Sequence, residues 1–242
     1  MSSIGFYSSA SGVFTAKDAM DITANNVANV NTNGYKHLRP SFGDLIYTER
    51  KLRNEEVQTG HGSRVLKTDL MYGVDSFAQT EKPLDFAIAA EGLFAVREGD
   101  SITYTRDGSF YMSQNAEGVW ELVNNRGAYV LDNEGNNIPI PFIDGTTEID
   151  RNTLTETIGV YNFNNPYGLD PVGDNYFVQT RSSGEPQADP EARKLNGYLE
   201  MSSVNLGTEM VKVIEFQRGF QANVRMVQTH DELQNIINHL RQ

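Results

Sequence analysis

The sequence predicts an α+β protein, mainly β: an antiparallel, β-rich central domain of sandwich or barrel type, with long N- and C-terminal helices that pair or coil. Three observations carry this. Helical apolar spacing occupies both ends, residues 1–34 and 204–240. Between them, alternating strand-like runs are punctuated by turn signals about every 8–12 residues. Each terminal helix also has a narrow apolar stripe, which a β-rich body alone does not bury. Such a stripe wants another helix, from the opposite terminus or from a neighbouring copy. This pattern suits an assembling subunit better than an enzyme. The expected division is a helical assembly module (1–34 and 200–242), a connector with short strands and a loop (35–82), and a β-rich central domain (83–199).

The first helix is expected over residues 3–30. Ala10, Val13, Met20, Ala24 and Val27 share a 3/4 spacing, with Lys17 interrupting. Ser, Ala and Gly are frequent along it, so a partner can approach closely. Asn25, Asn26, Asn29, Asn31 and Asn33 crowd its end. Asn competes for backbone hydrogen bonds and favours caps and turns, and Asn33-Gly34 reads as a left-handed stop. In the connector, Tyr35, Phe42, Leu45, Ile46 and Tyr47 form an apolar-aromatic patch. Residues 49–64 are charged and read as a loop, and Val65–Tyr72 as a strand.

Leu84, Phe86 and Ile88 alternate, as do Ile102 and Tyr104, then Phe110 and Met112. Arg106-Asp107-Gly108 between the last two runs is a hairpin signal. Asn124–Gly127 and Asp132–Gly135 mark further turns, and Thr157–Phe163 and Tyr176–Gln179 further strands. Residues 182–196 read as an exposed loop. The last helix starts near Val204, capped by Ser203 or Asn205. Leu206, Met210, Val213, Phe220, Val224 and Val227 follow helical spacing, and Leu233, Ile236, Ile237 and Leu240 continue it after a phase slip. Thr229-x-x-Glu232 matches a capping box, so a new start there is an alternative to one long helix, the favoured reading.

A net charge of −12 argues against nucleic acid as a partner, because phosphate binding wants a basic patch. No run approaches the ~18 apolar residues of a membrane helix, and the N-terminus shows no cleavable secretory signal. Without cysteine there is no disulfide, thiolate metal site or Cys nucleophile. His37, His61, His230 and His239 have no metal-ligand spacing. Gly60–Ser63 lacks the ending of a phosphate loop, and there is no nucleophile elbow. Asp132, Glu134 and Asn136 alternate like calcium ligands, but Gly135 is out of place for such a loop and a turn explains the same residues. No catalytic, metal or cofactor site is expected.

The segment Ile22–Lys36 (ITANNVANVNTNGYK), continued by Phe42–Tyr47 (FGDLIY), closely resembles the N-terminal signature of the bacterial flagellar rod and hook proteins. Pro83–Phe94 and Tyr104–Phe110 resemble the β domain of that family. Gly197–Leu206, Glu209-Met210-Val211 and Gln217–Asn223 resemble its closing helix. The departures are mild: Ala90 stands where Gly is usual, and Gly219 where Ala is frequent. The resemblance implies a self-assembling subunit of the flagellar basal-body rod, with an α-helical layer from both termini and a β-rich domain. It implies export through the flagellar type III apparatus, other rod and hook subunits as partners, and no enzymatic activity. The assembly residues it indicates are Asn25, Asn26, Asn29, Asn31, Gly34, Gln217, Arg218, Gln221 and Asn223, with Leu206, Met210, Val213, Phe220 and Val227 on the C-terminal stripe. A hook or hook–rod junction protein is the nearest alternative. A secreted β-sandwich enzyme or glycan-binding module is a remoter one.

Overall fold

The computed structural model describes residues 4–52, 55–73, 75–143 and 148–240, without the side chains of 48–52 and 55–59. Residues 1–3 and 241–242, the outer ends of the expected helical module, lie outside the described residues. In chain order the elements are α1 (Ile4–Ala28), β1 (Leu38–Asp44), β2 (Tyr47–Leu52), β3 (Glu55–Gly60), β4 (Ser63–Leu70), β5 (Phe77–Gln79), β6 (Phe86–Ile88), β7 (Leu93–Glu98), β8 (Ser101–Thr105), β9 (Tyr111–Gln114), β10 (Trp120–Val123), β11 (Tyr129–Val130), α2 (Arg151–Thr157), β12 (Val160–Asn162), β13 (Asp170–Gly173), β14 (Tyr176–Val178), β15 (Gln187–Ala188), β16 (Lys194–Asn196), β17 (Tyr198–Glu200) and α3 (Leu206–His239). The α+β, mainly β class holds. The chain divides into two compact units, one made of residues 1–28, 38–71 and 204–242, the other of residues 29–37 and 72–203.

In the first unit α1 and α3 run antiparallel. A methyl group added at Gly5 would meet the His230 ring at 2.5 Å, and one at Gly12 would meet the Asn223 amide at 2.8 Å. Asn26 bonds Glu209. Steps of seven or fourteen along α1 thus match equal steps back along α3, the repeat of a coiled pair. The same step puts the fully buried Ala19 in the seam. The buried face of α1 is Ser9, Thr15, Ala16, Ala19, Thr23 and Asn26. This differs from the expected stripe, whose Ala10, Val13, Met20 and Val27 are half-buried and whose Ala24 is exposed. The reason is close approach. Small and hydroxyl side chains let the helices touch, and Thr23 satisfies itself on the Ala19 carbonyl, at 2.9 Å.

Helix α3 is unbroken through Thr229, as one long helix requires, and Asn205 caps it by accepting a hydrogen bond from the Thr208 amide at 3.1 Å. Strands β1 and β4 pair antiparallel, with a bulge at Ser41/Phe42. Thr15 Oγ1 lies 2.8 Å from the Ser63 carbonyl oxygen and stitches α1 to β4. Residues 49–64, read from the sequence as a loop, instead contain the ladder of β2 and β3, from Tyr47↔Gly60 to Leu52↔Glu55. A ladder closed by backbone bonds leaves no apolar period to read.

The second unit is built on a nine-stranded antiparallel sheet. Its main path is β13-β14-β8-β7-β11-β10-β9, with β12 joining β7 and β15 joining β12. The core gathers Phe86, Phe94, Phe110, Leu122, Val130, Ile138, Leu154, Ile158 and Val160. Phe94 and Phe110 meet edge to face with centroids 5.2 Å apart. The expected turns at 124–127 and 132–135 form, each closed by a backbone bond to its glycine amide.

The hairpin expected at Arg106-Asp107-Gly108 does not form. Strand β8 pairs with β7 and β14, while β9 pairs with β10. The actual β7–β8 turn uses Gly99, at φ +61°. Gly108 serves close approach instead: its Cβ position lies 1.7 Å from the Phe86 carbonyl oxygen, and Phe86 N–H donates to the Gly108 carbonyl at 3.0 Å. Asp107 accepts from the Ser109 backbone N–H at 3.0 Å. Helix α2, not foreseen, is capped by Asp150, which accepts from the Asn152 and Thr153 amides. In the expected loop 182–196, β15 and β16 add short rungs to β12 and β6.

Two glycines then separate by mechanism. Gly108→Ala has no room and is expected to cost about 3 kcal/mol in chemical denaturation. Gly219, mid-helix in α3, has nothing within 4 Å of its Cβ position. Gly219→Ala is expected to stabilise the isolated chain by about 1 kcal/mol, read the same way.

Candidate assembly interface

The first unit is held where the end of α1, the start of β1 and the start of α3 meet at Asn26, which is 1% exposed. Its side-chain oxygen accepts from Leu38 N–H at 2.8 Å, and its amide nitrogen donates to the Leu38 carbonyl at 2.8 Å. The side chain thereby imitates a neighbouring strand. The same nitrogen donates to Glu209 Oε2 at 3.1 Å. Glu209 is itself 3% exposed, and its other oxygen accepts from Lys212 Nζ at 2.6 Å. A buried carboxylate left unpartnered is costly, so this geometry defines the register of α3 against α1.

The other expected assembly residues fall into two groups. Asn25, Asn31, Leu206, Met210, Gln217, Arg218 and Gln221 are exposed. Val213, Phe220, Asn223 and Val227 are half-buried, and Asn223 Nδ2 donates to the Gly219 carbonyl at 3.0 Å. Asn29 is half-buried and takes part in a turn, accepting from Thr32 Oγ1 at 3.1 Å. Gly34 belongs to the second unit. It is buried at φ +63°, six residues past the end of α1, so it is not the helix stop the sequence suggested. A Cβ there would sit 2.7 Å from the Arg106 carbonyl, so both conformation and space require glycine.

Around Gly34 the second unit buries a charge cluster that sequence reasoning did not nominate. Lys36, 1% exposed, donates to Glu200 Oε1 at 2.5 Å, to Asp75 Oδ2 at 2.7 Å and to the Gly73 carbonyl. Arg106, 3% exposed, donates to the Ile88 and Ala90 carbonyls at 3.2 and 2.8 Å. Its Nε faces Glu200 Oε2 at 3.4 Å, an ion pair without hydrogen-bond geometry. Burial lowers the Arg106 pKa, and Glu200 opposes the shift. Two buried cations thus meet at the buried Glu200, and Lys36 reaches in addition the partly exposed Asp75. The segments so joined are those by which the chain enters and leaves this unit: Gly34 N–H donates to the Glu200 carbonyl at 2.8 Å, and Ser203 N–H to the Tyr35 carbonyl at 2.9 Å. Lys36, Arg106, Glu200 and Glu209 all lie in the segments that carry the family resemblance. That position was the only sequence signal available.

Arg106 also borders a cavity of about 400 Å³ walled by Tyr72, Tyr161, Phe163 and Tyr167. Glu91 adds a carboxylate to its wall. Burial pushes the Tyr72 hydroxyl pKa up. Among the described residues no serine or histidine lines the cavity to supply a nucleophile–base pair. Among the described residues no group of three His, Cys, Asp or Glu is arranged to hold a metal ion, and no helix is long and apolar enough to cross a membrane.

Removing one member of a buried pair strands the other, at about 3–5 kcal/mol. Glu200→Gln is expected to lose that much stability in urea denaturation followed through the β signal. Asn26→Ala should cost about 1–3 kcal/mol, because it leaves Leu38 groups unpaired, whereas exposed Asn31→Ala should stay within about 0.5 kcal/mol.

Three sequence families match in chain order: "Flagella basal body rod protein" over residues 6–36, "Flagellar hook protein FlgE/F/G D1 domain" over 87–159, and "Flagellar basal body rod FlgEFG protein C-terminal" over 195–240. The first and last cover nearly all of α1 and α3, and the middle one covers the core of the sheet. The flagellar basal-body rod protein FlgG of Borreliella burgdorferi is 34% identical, with 97% of each chain covered. FlgG of Bacillus subtilis is 32% identical over 96% of this chain and 97% of its own. The Bacillus subtilis flagellar hook-basal body complex protein FlhP is 29% identical over 92% and 93%. With its paired terminal helices, its buried Asn26 and its inserted β unit, the chain belongs to the flagellar basal-body rod protein family.

Proposed function

We propose that this chain is a structural, self-assembling subunit of the flagellar basal-body rod, passing torque between motor and hook through its helical unit. The observation that carries the reading is the exposed last turns of α3. His230 lies opposite Gly5, near the start of described α1. Beyond it, residues 231–239 are all exposed, and Leu233, Ile236, Ile237 and Leu240 form an apolar stripe at helical spacing. Further apolar side chains at least half exposed lie elsewhere on α3, at Met210, Val211, Ile214 and Met226, and on α1, at Tyr7 and Phe14. A monomer has no use for so much exposed apolar surface, whereas neighbouring copies would bury it.

In this reading the exposed Gln217, Arg218 and Gln221 hydrogen-bond to neighbouring subunits, while Asn26 and Gly34 act inside one subunit. The partners are further copies and other rod and hook subunits. The site of action is the basal body, reached by flagellar type III export, and the chain carries no catalytic role. Relatives named as rod proteins, matching over nearly their full length, support rod over hook.

Ile236→Glu/Ile237→Glu is expected to leave monomer circular dichroism and denaturation within about 0.5 kcal/mol of the parent. It should abolish polymerisation in sedimentation and motility in a complemented strain. A variant that still polymerises would refute the role of the last turns of α3. In the monomer, amides of residues 231–239 should exchange faster than those of β7 and β8, and become protected on assembly.

A further inference from the structure

Strand β9 ends the main sheet, and its outer edge is open. Strand β10 sends Leu122 N–H to the Ile138 carbonyl and receives Ile140 N–H on its Trp120 carbonyl, both on the side away from β9. By alternation Glu121 and Val123 face β9, where they pair with Ser113 and Tyr111. The backbone groups of Met112 and Gln114 therefore point outward. Phe110 N–H, next in that series, is taken by the Leu84 carbonyl, but among the described residues no backbone hydrogen bond reaches the outward N–H and C=O of Met112 or Gln114, which meet Leu122 and Trp120 only on the inner side. All four residues of β9 are exposed. The opposite edge, β13, is blunted by Pro171 and a register shift beside it. Strand β9 has neither device, and no lysine.

Charge decides what fits this edge. The second unit holds 21 of the 32 acidic residues and 9 of the 20 basic ones, and so carries the whole net charge of −12, while the first unit has 11 of each. Locally, residues 109–125 contain Glu117 and Glu121 and no Lys, Arg or His. Exposed apolar surface flanks the edge at Tyr111, Met112, Val119 and Trp120. Edge-to-edge pairing with a second copy would bring two such acidic units to strand spacing, which like-charge repulsion opposes.

We propose that β9 is a docking edge that accepts, as an added strand, an extended basic segment of a different protein, with Lys or Arg alternating with apolar residues. Backbone bonds to Met112 and Gln114 supply the pairing, and the acidic hairpin selects the sequence. This does not draw on the helical unit.

Trp120, the only tryptophan, lies across from Gln114 and reports on the edge. The full chain is titrated with a short peptide alternating lysine and valine, and with its glutamate–valine counterpart. The lysine peptide is expected to shift Trp120 fluorescence saturably and to slow amide exchange at Met112 and Gln114 by about tenfold or more. Its affinity should fall about tenfold between low and high salt. Met112→Pro removes an outward donor without touching the ladder to β10, and should abolish both signals with circular dichroism retained. Should that variant misfold, Glu117→Lys/Glu121→Lys is expected to weaken lysine-peptide binding about tenfold by charge alone. The proposal is overturned by no response to the lysine peptide, by an equal response to the glutamate peptide, or by binding that survives in folded Met112→Pro. Edge protection that rises with protein concentration and no peptide would make a second copy the occupant, and overturn it too.

Discussion

Everything in this chain depends on joining segments that lie at opposite ends of the sequence, and each unit does so with a buried polar contact. In the first, Asn26 meets Glu209 across 183 positions. In the second, Lys36 meets Glu200 across 164. Bringing such distant segments together costs loop entropy before any contact rewards it. A generic apolar seam would accept several helix registers at similar cost. A buried carboxylate does not, because a shift of one turn parts Glu209 Oε2 from Asn26, and Lys212 on the same helix holds only the other oxygen.

This explains the unusual chemistry of α1. Its buried face carries almost no large apolar side chains, so close contact takes the place of apolar bulk. Glycine and alanine at seven-residue steps let α3 approach closely, and the hydroxyls of Thr15 and Thr23 are absorbed by carbonyls of the preceding turn. Dispersion at short range compensates for the missing apolar area. Some of the large apolar residues of α3, Met210, Ile214, Leu233, Ile236 and Ile237 among them, are left exposed, while Val213, Phe220 and Val227 are half-buried. The same allocation fixes the register of the helices and leaves apolar side chains on their outer surface.

The second unit follows a different rule. Its core is a conventional aromatic and aliphatic one, in which the sheet packs Phe94 and Phe110 together with Leu154 of α2. Its surface is acidic while the first unit is neutral overall. The exposed apolar stripe of α3 and the net negative charge thus lie in different parts of the chain. Two edges of one sheet also receive unequal treatment: Pro171 blunts β13 and nothing blunts β9.

The sequence by itself determined the class, the paired ends and the turns at 124–127 and 132–135, because period and turn chemistry are local properties. It also located the family segments, in which Asn26, Lys36, Arg106, Glu200 and Glu209 all sit. Only the tertiary structure decided which of them matter and how. Asp107-Gly108 reads as a hairpin turn, yet glycine is needed there because Phe86 backbone passes within contact, a fact no local window contains. The apolar stripe of α1 lies one face away from the true seam, since apolarity marks burial against bulky neighbours and this seam is made of small ones. The charges at 36, 106 and 200 look like ordinary surface residues one by one. They become a buried cluster only when three distant segments converge, and that convergence is the fold.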